Sequence, residues 1–195
     1  MQPVPVTLTG EFARLEPLGL EHAADLARVG TEADIWRYLP TRAPRDDGEM
    51  RVLIETALAE AARGVRLPFA IIDLADGRAV GSTSYLDIAP AHQRIEIGWT
   101  WLGARARRTA INTECKSLLL KHAFATLGCG RVQLKTDGRN LRSQAAIERL
   151  GAVKEGVLRR HMVLPDGFVR DTVMYAILRE EWPMVTKRLQ AALRR

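Results

Sequence analysis

Residues 107–116 read RRTAINTECK, bringing two arginines, a threonine and an asparagine to the start of an apolar-periodic stretch. A helix start is already positive, because its first backbone N–H groups are free and the macrodipole points that way. Acidic side chains usually relieve this field, whereas Arg107 and Arg108 add to it. Such a composition suits an anion from outside the chain, held by backbone N–H groups and by charge-assisted bonds from the arginines. The plainer alternative is that Asn112 or Thr113 caps the helix and the arginines face water.

The charge distribution points the same way. Net charge is +6, and residues 101–170 hold 14 Lys and Arg against 5 Asp and Glu, a local +9 that leaves −3 elsewhere. A focused positive region suits nucleic acid, an anionic membrane or a phosphorylated cofactor; an Arg-rich proteome with solvated helix faces gives the same count. A nucleic-acid surface needs exposed stacking aromatics beside its arginines, and Trp99 and Trp101 lie in an apolar strand, so no stable nucleic-acid partner is expected. The chain has no G-x-x-x-x-G-K-[ST] loop, no G-x-G-x-x-G after a strand and no G-x-S-x-G elbow. His22, His92, His122 and His161 are scattered, so no metal is expected. The two cysteines, Cys115 and Cys129, have neither zinc nor disulfide spacing, and Cys115 reads as a buried thiol. With no run of membrane-spanning length and no basic-then-apolar start, no membrane partner and a cytoplasmic location are the default expectation.

These residues need elements to position them. EFARLEPLGL alternates as a first strand, GLEHAADLARVG reads as a short helix, and IWRYLP as an aromatic connector ended by Pro40. Residues 49–63 read as a helix stopped by Gly64. Strands 68–74 and 79–88 flank the ADGR hairpin signal. In strand 94–103, alternation puts Ile95, Ile97, Trp99 and Trp101 on one side and Glu96 on the other. A helix over roughly 112–127, a strand at 131–137, and a helix capped by Asn140 and ended by Gly151 follow. A hairpin around PDGF and a last helix with Pro183 in its first turns close the chain. The order gives an α/β or α+β fold with a mixed sheet, read as one domain over 1–195, in which strands 94–103 and 131–137 form a βαβ unit and run parallel.

The run RRTAINTECK resembles the pyrophosphate-binding motif Q/R-x-x-G-x-G/A of the GNAT superfamily of acyl-coenzyme A-dependent N-acetyltransferases. IEIGWTWLG before it and NLRSQAAIERLGAVKEGVLRRH after it resemble the ribosomal-protein N-terminal acetyltransferase (RimJ/RimL-like) branch. The resemblance covers nearly the whole chain and is strongest over 95–161. It departs from the family at Ala110 and Asn112, where glycines are usual; Ala110 keeps its backbone N–H, so the cradle survives if that residue needs no positive φ, and Asn tolerates unusual backbone conformations. The resemblance implies a mostly antiparallel sheet of about seven strands, helices on both faces, and a splayed parallel strand pair. It also implies acetyl-CoA as co-substrate and no metal. Arg107, Arg108, Thr109, Ala110, Ile111 and Asn112, with Thr113, would hold the diphosphate. Backbone groups of Thr100, Trp101 and Leu102 would pair with the pantetheine arm, and Asn140 would contact it. Ser143 matches a position near the thioester sulfur. Asn140 and Ser143 also fit plain roles as helix cap and first-turn residue.

The implied reaction is direct attack by a primary amine of a protein N-terminus or small molecule. The acceptor ammonium, with a pKa of roughly 8 for an α-amine, must first lose a proton. Glu96 is the candidate base, acting through water, with a strand ion pair to a neighbour such as Arg94 as the alternative. The leaving thiolate would take its proton from Ser143. Trp36, Arg37 and Tyr38 stand where this branch builds its acceptor side, and Trp36 and Tyr38 equally fit a core role. A larger acyl group, a homodimer, and a non-catalytic acyl-CoA-binding domain of the same fold all stay open.

Overall fold

In a computed structural model that describes residues 2–194, the chain runs β1 (Leu8–Thr9), β2 (Ala13–Pro17), α1 (Ala23–Gly30), α2 (Ala33–Trp36), α3 (Asp47–Ala62), β3 (Arg66–Asp73), β4 (Arg78–Ala89) and β5 (Arg94–Leu102). It continues through α4 (Ala110–Lys121), β6 (Arg131–Asp137), α5 (Leu141–Leu150), β7 (Val153–Val163), β8 (Val169–Leu178) and α6 (Trp182–Leu193). Among the described residues the strands form one eight-stranded sheet in the order β1-β2-β3-β4-β5-β6-β8-β7. The eighth strand, beyond the seven expected, is the two-residue β1.

Every neighbouring pair is antiparallel except β5 and β6, which run parallel over only three residue pairs, Arg94 with Arg131, Ile95 with Val132 and Glu96 with Gln133. Beyond Glu96, β5 stays paired to β4 as far as Leu102, while β6 follows β8 as far as Asp137. The two strands therefore part, leaving one edge of each without a strand partner. Local sequence explains the turn that follows: the Asn140 side chain accepts the Ser143 N–H at 3.0 Å to start α5, and Gly151, at φ 104°, ends it in a conformation that favours glycine.

One face of the sheet presents Leu15, Phe69, Ile71, Tyr85, Ile95, Ile97, Val132 and Tyr175 to Cys115 and Leu119 of α4 and to Val185 and Leu189 of α6. The other presents Ala70, Ile72 and Trp101 to Leu26 of α1 and to Met50 and Ile54 of α3. Helices thus cover both faces, as expected.

The alternation read along β5 is corrected by a bulge. Thr83 of β4 lies between Ser82, paired with Trp101, and Ser84, paired with Gly98, so Trp99 and Thr100 together oppose one residue. Trp99 sits at φ 50°, uncommon for a bulky side chain. The extra residue reverses the alternation: Ile95 and Ile97 face α4, whereas Trp101 packs on Trp36 across the other face, ring centroids 5.0 Å apart.

Two further boundaries move. IWRYLP is not wholly a connector, since Ile35 and Trp36 end α2. The helix expected over 112–127 begins at Ala110, because the Thr109 hydroxyl accepts the Ile111 N–H and takes the capping role expected of Asn112 or Thr113. Its regular part stops at Lys121, and His122–Thr126 form a wider π turn.

Candidate active site

The mouth of the gap between β5 and β6 is built by the segment that follows β5. Arg107 and Thr109 carry the chain into α4 through Arg108, whose φ is 63°. Ala110 and Asn112 do not share this left-handed conformation, so neither site requires glycine. Of the N–H groups that open α4, Thr109 takes only that of Ile111, at a long 3.3 Å, leaving an anion-receptive helix end. The Arg107 side chain turns the other way: its Nε donates to the Leu102 carbonyl at 2.9 Å, and its terminal nitrogens face Glu32 and Asp34 at 3.6 and 3.9 Å. It braces the loop through Nε, while one buried terminal nitrogen meets no hydrogen-bond acceptor among the described residues. Arg108 is exposed, and Asn112 and Thr113 are half-buried in the first turn.

Trp101 and Leu102 pair on one edge with Ser82 and Gly81 of β4, and their other edge lies along the gap. The Thr100 hydroxyl points under the sheet instead, where Lys116 Nζ donates to it at 2.6 Å and the Thr83 hydroxyl lies 2.8 Å away. Lys116 is only 7% exposed, and burial pulls its ammonium down from 10.5 to about 8. Across the gap stand Asn140, its side-chain oxygen engaged as the α5 cap, and the half-buried Ser143.

Glu96 ends the parallel ladder, so its carboxylate lies where the strands separate. It is 1% exposed and pairs not with Arg94 but with Lys135 Nζ at 3.0 Å, while Gln133 Nε2 donates to it at 3.3 Å. Arg94 pairs with Asp87 instead. Gly98 keeps the space beside Glu96 open: a Cβ there would lie 2.7 Å from Glu96 Oε1 and 2.8 Å from Leu86 Cδ1.

By register, Gln133, Lys135 and Asp137 of β6 and Thr172 and Arg170 of β8 share the face that carries Glu96. Asp137 is held by Arg139, whose guanidinium lies over the rings of Phe168 and Tyr38. Its carboxyl is kept below the usual range: burial opposes the shift, but hydrogen bonds from Arg139 outweigh it. Among the proposed acceptor residues, Tyr38 is half-buried against Arg139, and Arg37 is exposed. Trp36 is a core residue, its Nε1 donating to the Gly30 carbonyl at 2.6 Å. It also lines a small cavity with Trp99, Trp101, Met50 and Arg66.

Sequence reasoning missed the buried charges Arg66, Glu114, Lys116, Asp137 and Arg170. Arg170 comes to lie on the Glu96 face through β8, and Glu114 accepts the N–H groups of Glu11, Phe12 and Ala13 at 2.7 to 2.8 Å and ties α4 to β2. A helix carrying Glu114, Cys115 and Lys116 in a row, flanked by Ile111 and Leu118–Leu120, has too little polar surface to be one-sided, and that was the available signal.

This geometry has known counterparts. Residues 13–153 match the family model described as the acetyltransferase (GNAT) domain. The chain belongs to the GNAT acetyltransferases. A GCN5-related N-acetyltransferase from Brucella melitensis is similar along 99% of this GNAT chain and 87% of its own, with a TM-score of 0.93 at 30% identity. Mycobacterium smegmatis RimJ, solved in complex with CoA-disulfide, is similar over 98% of this chain and 97% of its own, with a TM-score of 0.84 at 26% identity. A Bacillus subtilis (strain 168) protein named as a candidate ribosomal N-acetyltransferase, YdaF, is 30% identical over 109 residues. That match covers 56% of this chain and 58% of YdaF, less than two thirds of the relative's length. These similarities bear out the expected resemblance to the RimJ/RimL-like branch.

Proposed function

We propose that residues 1–195 act as one N-acyltransferase domain that moves an acetyl group from acetyl-CoA to a primary amine by direct attack. The observation that carries this reading is the ending of the β5–β6 ladder at Glu96, which puts a buried carboxylate, a free strand edge and an open helix end around one gap. The donor set fits the ligand. Backbone N–H groups of Thr109, Ala110 and Asn112, with the Thr113 hydroxyl, suit a diphosphate, the Trp101 and Leu102 edge suits the amides of the pantetheine arm, and the CoA-disulfide complex of RimJ, a structural relative, supports the assignment.

Glu96 receives the acceptor's proton, directly or through water, with Lys135 and Gln133 holding the carboxylate in place. Backbone N–H groups of the free β5 edge meet the charge that develops on the carbonyl oxygen. Ser143, at the opposite lip, relays a proton from solvent to the sulfur that leaves, regaining at its hydroxyl the proton it passes on. Tyr38 and Arg139 shape the acceptor entrance. Since Ala110 and Asn112 need no positive φ, the missing glycines give no ground for a non-catalytic domain.

Thiol release from acetyl-CoA in the presence of a panel of peptides, amino acid amides and small amines tests the proposal. Turnover with any of them, and a loss of about a hundredfold or more in kcat for Glu96→Gln at unchanged acetyl-CoA affinity, is the expected result. Binding of acetyl-CoA with no turnover on any amine overturns it.

A further inference from the structure

Arg170 is the least satisfied buried charge on the face that carries Glu96. The residue is 4% exposed, and its guanidinium has five N–H donors to place. One hydrogen bond to a protein acceptor is made among the described residues, from NH1 to the Tyr38 carbonyl at 3.2 Å, and the buried Nε meets none. Asp137 and Glu96 lie near enough to support the positive charge, but Asp137 gives its oxygens to Arg139 and Glu96 gives an oxygen to Lys135. A buried donor without an acceptor is costly, and native proteins keep few of them. This one lies beside the carboxylate assigned as base and beneath the Tyr38 backbone at the acceptor entrance.

We infer that Arg170 is the specificity-determining residue of the acceptor side: it receives the α-carbonyl oxygen of an α-amino acyl acceptor and so fixes where that acceptor's amine meets Glu96. The inference rests on the transferase reading above. An amine and its α-carbonyl oxygen are separated by two carbon atoms, so one acceptor residue spans adjoining acidic and basic groups. Lys135 and Arg139 are already engaged with carboxylates, which leaves Arg170 as the open partner. A peptide N-terminus and a free amino acid share this chemistry.

The test compares, at saturating acetyl-CoA and with each rate referred to the concentration of the neutral amine, three acceptors with the same side chain: an α-amino amide, the free α-amino acid, and the plain amine that lacks the carbonyl. For the unmodified protein, kcat/KM for the amide or the acid is expected to exceed that for the plain amine about tenfold to a hundredfold, the worth of a buried hydrogen bond to a charged group. Preference for the amide identifies a peptide end as the source, and preference for the acid a free amino acid. Arg170→Gln is expected to collapse the ratio toward one while leaving the acetyl-CoA KM unchanged, with Arg170→Lys intermediate. Equal use of all three acceptors by the unmodified protein overturns the inference, as does a variant that lowers all three alike. If Arg170→Gln fails to fold by circular dichroism, the unmodified protein and Arg170→Lys still decide the matter. Absence of thiol release with every amine fails the transferase reading itself, and this inference with it.

Discussion

Replacing Lys116 with methionine removes a buried ammonium whose hydrogen bond within the described residues goes to the Thr100 hydroxyl. Burial lowers its pKa from 10.5 to about 8, and at 1.36 kcal/mol per unit that is about 3 kcal/mol of cost borne by the folded state at neutral pH. Methionine has similar length and no charge to desolvate. It forfeits the bond to Thr100, about 1 kcal/mol, while the Thr83 hydroxyl, 2.8 Å from that of Thr100, stays as its partner. The net expectation is a gain of about 2 kcal/mol at pH 6–7, or roughly 4–8 °C in Tm for a chain of this size. The pH dependence is set by the direction of the shift. Between pH 8 and 10.5 the unfolded chain holds a proton that the folded one has released, so the unmodified protein gains stability with rising pH across that window. The advantage of Lys116→Met is therefore full below pH 8, shrinks through the window and reverses by the worth of the lost hydrogen bond near pH 10.5. Paired thermal melts at pH 6, 7.5, 9 and 10.5 measure it, because groups common to both proteins cancel in the difference. A variant less stable than its parent by 1 kcal/mol at pH 6, or a gap that does not change with pH, refutes the reasoning.

Other substitutions separate structural from functional duties. Glu114→Ala leaves the N–H groups of Glu11, Phe12 and Ala13 without their acceptor, the last of them buried, and is expected to cost about 3 kcal/mol, lowering Tm by roughly 6–12 °C; a loss under 1 kcal/mol counts against the staple. Asn140→Asp keeps the cap oxygen but removes the amide donors, so Tm should hold while the acetyl-CoA KM rises several-fold, whereas Asn140→Ala should also lose about 1 kcal/mol of stability. A drop in Tm for both with KM unmoved would assign Asn140 to the cap alone. Ala110→Gly, at a helical position without positive φ, should change acetyl-CoA affinity by less than about twofold in a binding titration; a large gain would mean that the missing glycine matters.

Where a single element's own residues set its shape, the sequence was readable. Asn140 and Gly151 bracket α5, and the spacing of 131–137 gave β6, because a cap, a left-handed terminator and an alternating strand are local features. Trp99 shows the opposite case. Nothing in IEIGWTWLG marks the bulge, since its cause is the register against Ser82 and Ser84 on another strand. One inserted residue then sends Trp101 to the opposite face and turns the Thr100 hydroxyl toward Lys116. The start of α4 was misplaced for a related reason: Thr109, Asn112 and Thr113 are all competent caps, and only the tertiary path through Arg108 selects the first. For the candidate site, position was legible and orientation was not. Arg107 lies at the helix end as the motif implies, yet its guanidinium serves the Leu102 carbonyl. Arg170, far along the chain in β8, reaches the face of Glu96 only through sheet order.

β5 unites these observations, because it carries both sides of the proposed chemistry on one short strand. Before the bulge its register with β6 fixes Glu96 on the acceptor face; after the bulge its free edge follows the gap toward α4. The strain at Trp99 needs a counterweight, and Arg66 supplies it: the guanidinium lies 4.7 Å from the Trp99 ring centroid, bonds to Ser84 at 2.8 Å and pairs with Glu60 of α3 at 3.0 Å. α3 therefore holds the bulge from one face, and Lys116 of α4 holds it from the other through Thr100. Arg66→Met removes one partner of the Glu60 ion pair and leaves the buried Ser84 hydroxyl without its donor, so it is expected to lower stability, in contrast to Lys116→Met. If the irregularity matters only to folding, Arg66→Met lowers Tm with unchanged acetyl-CoA affinity. If the bulge aims the β5 edge into the gap, Arg66→Met lowers Tm and acetyl-CoA affinity together, and that coupled result is the one the geometry requires.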